Sequence, residues 1–391
     1  MSGPLFTKPS KRVLMFWGAL AALNLAAGVV VSSQTQRLSD LETMMRWGRY
    51  WLVEGTNIYE PGRWGTVDYP PNAMVLLSPL GLLSLSTAHP IWMLMNVVMA
   101  ILAPYHAARF FRPHDPFRVI ALPILMFLCW GGVRTLTQFT LVALTCSMAA
   151  MLVSGRRPIA GGAWLGLAMM KPQVAVPVFL WSVFTRRWSV VLTALAVIGG
   201  LVAVFCLRAG AHPFWVAARY VEILAVHHTG EAILAGISEF RPLIYQLATD
   251  VSEVDAIAGS IALGLIASIC VTGFQEGAVR KHVLYAAPPL VACWSLMTFY
   301  HLTYGFVILL PVMMLLALND TPRSRLRQGV FWLLQLGMMF DIPGLSRRAG
   351  LAGTPLFTNV LAHADRALIV ALFIGLVVLA WQEVPEASAS S

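Results

Sequence analysis

The sequence predicts an all-α integral membrane protein with about ten full spans and one re-entrant pair of half-helices. Composition is the first reason: 58% of the 391 residues are hydrophobic and 12% are charged, where a soluble domain has roughly 45–50% and 25%. The second is distribution. Apolar runs recur along the whole chain, so they cannot be gathered into one water-covered core. The third is charge: the 27 Lys and Arg residues fall in small groups between those runs. That pattern sets membrane orientation and is unlike the single basic face of a nucleic-acid binder. Cys129, Cys146, Cys206, Cys270 and Cys293 all lie in apolar runs without paired spacing, which argues against disulfides and zinc.

The run from Val13 to Ser33 follows Lys8, Lys11 and Arg12 and reads as a first helix leaving a cytoplasmic amino terminus over residues 1–12. Its apolar stretch is longer than that of a signal peptide. The later basic groups are Arg109/Arg112/Arg118, Arg156/Arg157, Arg186/Arg187, Arg280/Lys281 and Arg323/Arg325/Arg327. If they share the amino terminus's side, Val13–Ser33 runs outward, Ile91–Ala108 inward, Val119–Val133 outward, Leu136–Ser154 inward and Trp188–Leu207 outward. Ala256–Phe274 then runs inward, Val283–Tyr300 outward, Leu302–Leu318 inward, Gly329–Phe340 outward and Ala367–Trp381 inward. Residues 13–318 form the main membrane domain in this reading, 319–382 the C-terminal membrane helices and 383–391 a cytoplasmic tail.

Two stretches resist plain spans. Pro158 to Phe184 lies between two Arg-Arg pairs and is interrupted by Lys171-Pro172, so it predicts two half-helices that enter and leave on one side. Tyr69 to Leu85, headed by Pro70-Pro71, predicts an interfacial or re-entrant segment, because counting it as a span would invert every later loop. Two outer loops, 34–72 and 208–255, are long. The first opens with Leu41, Met44, Met45, Gly48, Trp51 and Leu52 at helical spacing and Glu42, Arg46 and Arg49 opposite, which predicts an interfacial helix. The second holds His212, His227, His228, Glu231, Glu239 and Arg241, so polar chemistry concentrates on the outer side.

Several residues stand out. Asp40 and Glu42 are carboxylates just after the first crossing; Asp40 is suited to capping the interfacial helix, and Glu42 to pairing with Arg46. Lys171 is the one basic residue left inside a hydrophobic stretch. It lies 14 residues beyond Arg157 and 15 before Arg186, too far for a lysine side chain to reach either headgroup layer easily. Arg134 and Arg241 are outer-side cations, and His301 sits at an outer turn. His227-His228 with Glu231 do not make a metal site, since adjacent histidines do not share a helical face. No metal site and no tightly bound cofactor are predicted. No Walker loop or Gly-x-Gly-x-x-Gly run is present to bind a nucleotide sugar.

The order of local motifs carries a resemblance. Ser39-Asp40 and an amphipathic segment precede Glu54-Gly55-Thr56-Asn57-Ile58-Tyr59, Tyr69-Pro70-Pro71 and Leu77-Ser78-Pro79-Leu80. Trp130 with Gln138, Ala160-Gly161-Gly162 followed by Lys171-Pro172 and Pro177, Ser238 with Tyr245, and Phe299-Tyr300-His301 with Leu310-Pro311 come after. Over about residues 30 to 315 this resembles the bacterial family 87 glycosyltransferases of the GT-C class. Two features depart from the family pattern: Gln138 is followed by Phe139-Thr140 where the family has x-Asn, and Met297-Thr298-Phe299 replaces a Ser-Pro before His301.

The resemblance implies a GT-C type helical bundle in the bacterial inner membrane with its active site on the extracytoplasmic face. It implies transfer of a sugar, mannose first and arabinose as an alternative, from a polyprenyl-phosphate donor to a glycolipid or glycan acceptor. Asp40 becomes the general base of a single inverting displacement and Glu42 a secondary candidate. Lys171, His301, Arg134, Gln138 and Arg241 become contacts for donor phosphate or sugar. Divalent metal dependence is not expected, and the partners are membrane lipids, the lipid-linked sugar and the acceptor, with no nucleic acid. The rival reading is a transporter or flippase that moves a polyprenyl-linked sugar without bond chemistry, since broken helices and midplane charge occur there too.

Overall fold

In the computed structural model, the residues described are chiefly 9–34, 39–60, 67–131, 138–227, 289–296, 303–318, 325–340 and 364–382. Every regular element among them is helical. The chain divides into two units: Ala19–His106 with Gly131–Ala232, and Met1–Gly18 with Ala107–Trp130 and Ile233–Ser391.

Helix α1 (Lys11–Gln34) corresponds to the expected first crossing. After it come α2 (Ser39–Glu54), the short α3 (Pro71–Leu77) continued by a 3₁₀ turn over Ser78–Leu82, and α4 (Leu85–Phe111). Pro71 stands at the first position of α3, where its missing N–H costs nothing. The stretch expected to be interfacial or re-entrant is therefore two short turns, well below a bilayer's thickness. Helix α5 (Phe117–Leu128) stops before the expected Val133.

In the first of the two units, α6 (Thr140–Val153) leads to α7 (Pro158–Ala168), α8 (Pro172–Phe184), α9 (Trp188–Ala209) and α10 (Pro213–His227). Pro172 keeps Lys171 out of helical backbone, at φ −131° and ψ 84°, and this breaks the apolar run where the sequence predicts. The direction of each piece follows from its neighbours. A side-chain carbon on Gly162 would come 2.6 Å from Val190 O and 2.5 Å from Thr193, and one on Gly166 would meet Val197 at 2.6 Å. Rising numbers on α7 thus face rising numbers on α9, so the two run parallel. Helix α8 must return between them, and the half-helix hairpin is observed.

These glycines, four apart, make the seam by which α7 packs on α9 with backbones in close approach. Gly161 does the same against Ser154 at the end of α6, with only 2.8 Å to its Cα. Helix α7 has 11 residues, about 16 Å of rise, and that length of helix separates Lys171 from Arg157.

The two ends of α9 are tied differently. At the start, Arg187 donates to Ser154 Oγ and lies 4.3 Å from the Trp181 ring centroid. At the other end Phe205 stacks on Trp51 of α2 at 5.5 Å, and Trp51 Nε1 donates to Phe205 O at 3.1 Å. Leu41, Met44, Met45, Gly48 and Trp51 of α2 are buried while Glu42, Arg46 and Arg49 are exposed, as the periodicity predicts; Leu52 is half-buried, and Trp47, outside the predicted face, is buried too. The apolar face meets protein in α3, the 3₁₀ turn and α9. Gly81 fits against α2 because any larger residue would strike Met45 O at 2.6 Å.

The other unit contains α5, α11 (Leu310–Leu318), α12 (Arg325–Phe340) and α13 (Ala364–Gln382). Buried Gln335 accepts from Trp130 Nε1 and donates to Met126 O, both at 3.1 Å. Arg325 and Arg327, expected in a cytoplasmic loop, lie inside α12. Arg327 is buried because its guanidinium finds the Leu316 carbonyl at 2.8 Å. Helices Lys11–Val30, Leu85–Phe111 and Trp188–Ala209 are each long and apolar enough to cross a membrane. Of the other expected spans, Gly329–Phe340 lies within α12 and Ala367–Trp381 within the 19-residue α13; Val119–Val133, Leu136–Ser154 and Leu302–Leu318 correspond to shorter apolar helices, Val283–Tyr300 is described only over 289–296, and Ala256–Phe274 lies outside the described residues.

Candidate functional site

Several of the polar residues that the fold buries in the Lys171-bearing unit belong to one aromatic run or adjoin it in the chain. Lys171, 3% exposed at the hairpin apex, holds its Nζ 5.9 Å from the centroid of the Tyr69 ring, within cation–π range. Tyr69 turns its ring edge to Phe139 at 5.5 Å, and Phe139 lies 4.4 Å from Trp92 of α4. Asn96 Nδ2 donates to Trp92 O at 3.0 Å. Gln138, Thr140 and Asn72 are buried next to these rings in the chain.

Tyr69 is held from behind. The Tyr59 hydroxyl donates to Tyr69 O at 2.6 Å, and the Tyr59 ring packs edge-on against Phe205 and Tyr220. The motif that contains Tyr59 has a structural cause throughout. Gly55 takes φ +67°, the left-handed conformation that ends α2, and Asn57 Oδ1 accepts from Tyr59 N at 3.2 Å. Ile58 and Tyr59 then turn inward.

Burial, with Tyr220 and Asp68 adding to it, holds the Tyr59 phenol well above its ordinary range. Burial and then Asp68 push Tyr220 up as well. Asp68 thus brings negative charge close to both phenols and precedes Tyr69 directly. Among the described residues, no group of three or more His, Cys, Asp or Glu is placed to hold a metal ion.

Of the residues singled out from the sequence, Lys171 and Gln138 flank the same pair of rings, Tyr69 and Phe139. Glu42 is exposed on α2. Asp40 is the second residue of α2, and its side chain lies outside the described residues, as do Arg134, Arg241 and His301. Sequence reasoning missed Asp68, Trp92, Phe139 and Tyr220 as site residues. The usable signal for Asp68 was a carboxylate joined directly to Tyr-Pro-Pro; the aromatic contacts had none, because they join distant segments.

Residues 67–241 match the family model of glycosyltransferase family 87. The matched stretch carries Asp68, Tyr69, Trp92, Gln138, Phe139 and Lys171, whereas Asp40 and His301 fall outside it. No curated protein and no solved structure matches the chain.

Proposed function

We propose, on the premise that residues 67–241 are family 87 glycosyltransferase sequence in a helical membrane protein, that the chain moves a sugar from a polyprenyl-phosphate donor. Mannose is the first choice of sugar, and the acceptor is a hydroxyl of a glycolipid or glycan on the extracytoplasmic side. One observation carries this reading: a lysine is buried inside the protein at the apex of a broken apolar helix, beside an aromatic wall. A buried ammonium there suits a phosphate that arrives on a lipid.

In the reaction, the acceptor oxygen attacks the anomeric carbon as the bond from that carbon to the phosphate oxygen breaks. The phosphate leaves with the bonding electrons, next to Lys171. The acceptor proton passes to a carboxylate, which we assign to Asp40, with Glu42 secondary. A single displacement inverts the anomeric centre. His301, Gln138, Arg134 and Arg241 are assigned to the phosphate and sugar of the donor. The location of α2 at the end of α9 opposite Arg186-Arg187 supports a base on the outer side.

The broken helix equally suits a flippase, so the deciding experiment removes membrane sides altogether. Purified protein in detergent is given labelled polyprenyl-phosphate mannose and a glycolipid extract. A new glycosidic bond, lost in Asp40→Asn while the protein stays folded, is the expected result. Absence of any bond formation by the unmodified chain would leave the transport reading in its place.

A further inference from the structure

Three buried donors, Trp92 Nε1 on the aromatic run and Asn72 Nδ2 and Thr140 Oγ1 on residues close to its rings in the chain, have no hydrogen-bond partner among the described residues. Their residues are 1%, 2% and 0% exposed. Leaving such groups unpaired away from water is costly, and native proteins rarely keep several in one place without a use. Each is fixed to a wall ring or lies close to one in the chain. The indole N–H belongs to the ring that lies 4.4 Å from Phe139. Thr140 follows Phe139 directly and opens α6, and Asn72 is three residues beyond Tyr69 in the first turn of α3.

The chemistry of this group differs from that of its neighbour. Lys171 offers a full positive charge for an anion. The three donors offer neutral N–H and O–H groups beside aromatic faces, which match a ring that bears several hydroxyls and apolar C–H faces. We propose that Trp92, Asn72 and Thr140, with the rings of Phe139 and Tyr69, form the subsite for the pyranose of the lipid-linked donor, next to the phosphate position at Lys171. The inference rests on the donor reading above and adds the residues that recognise the sugar.

The test measures binding by the full-length protein in detergent of two probes, polyprenyl-phosphate mannose and polyprenyl phosphate without the sugar. The unmodified chain is expected to hold the mannose-bearing lipid more tightly. Trp92→Phe keeps a smaller aromatic face and removes the N–H; Thr140→Val keeps the shape and removes the hydroxyl. Each is expected to weaken the mannose-bearing lipid by about tenfold and leave the bare lipid unchanged. Thr140→Val should not lower the melting temperature, because it removes an unpaired buried donor at nearly constant shape, whereas Trp92→Phe should lower it modestly through the lost ring volume.

Variants that bind both lipids as the unmodified chain does would overturn the subsite and leave the donor reading intact. Equal loss of both lipids would assign these residues to the scaffold and also overturn it. If the unmodified chain binds neither lipid, or both equally, the subsite fails; in the former case the polyprenyl-phosphate donor fails with it.

Discussion

Arg208, at the end of α9, donates to the carbonyl of Val53, at the end of α2, through Nη2 at 2.8 Å, and the same guanidinium reaches Leu52 O at 3.0 and 3.2 Å. A helix end leaves carbonyls without partners, and a cation there also complements the helix dipole. One side chain therefore closes α2 and fastens it to the far end of α9.

Loss of that closure should be measurable. Arg208→Gln is expected to destabilise the protein by about 1 kcal/mol, seen as a lower melting temperature in detergent. Gly55→Ala should cost at least as much, because its Cβ would sit 2.8 Å from Arg208 Nη1 on backbone of φ +67°. An unchanged melting temperature in both variants would show that α2 is held by its apolar face alone.

The seam between α7 and α9 gives a paired prediction. Gly162→Val forces a side chain onto Val190 O and Thr193 and should cost about 1–3 kcal/mol or more. Gly199, in the middle of α9, has nothing within 4 Å of an added carbon. Gly199→Ala should then be neutral or stabilise by up to about 1 kcal/mol. Thermal unfolding of the two variants side by side checks the packing without reference to activity.

Lys171→Met conserves length and apolar fit. It should fold normally, with a melting temperature equal to or above that of the unmodified chain, since a buried charge has been removed. Transfer from purified donor should fall by about 10²–10³-fold if the ammonium receives the leaving phosphate. Retained turnover in this variant would remove Lys171 from the reaction.

The raised phenols of Tyr59 and Tyr220 set a pH dependence. The folded protein keeps these protons through a range in which the unfolded chain, with phenols near about 10, releases them. Their contribution to stability is complete below that value and is lost as the pH rises above it. Melting temperature should fall between about pH 10 and 11, and Tyr220→Phe should flatten the decline.

Local chemistry was legible in the sequence, and contacts between distant segments were not. A proline after a lysine inside an apolar run announces a break wherever the chain goes, so the α7–α8 hairpin was readable. Alternation of Leu41, Met44 and Met45 with Glu42, Arg46 and Arg49 similarly announced α2. What covers that face was hidden, because the covering residues, such as Phe205, lie far along the chain. Trp47, also buried, was not assigned to the apolar face. Arg327 was misread for a related reason: a charge suggests a loop until a carbonyl such as that of Leu316 comes within reach. Tyr69 was noticed as a motif member, yet its place beside Lys171 depends on the hairpin folding back across about a hundred intervening residues.

Helix α9 also acts as a strut of fixed length. Arg187 and Arg208 are anchored at its two ends, separated by about 31 Å of rise. With both ends bonded to neighbouring helices, a bilayer thinner than this would be met by tilting the strut, with α2 carried along. Acyl-chain length in the host membrane is therefore expected to set the tilt of α9 and α2 together.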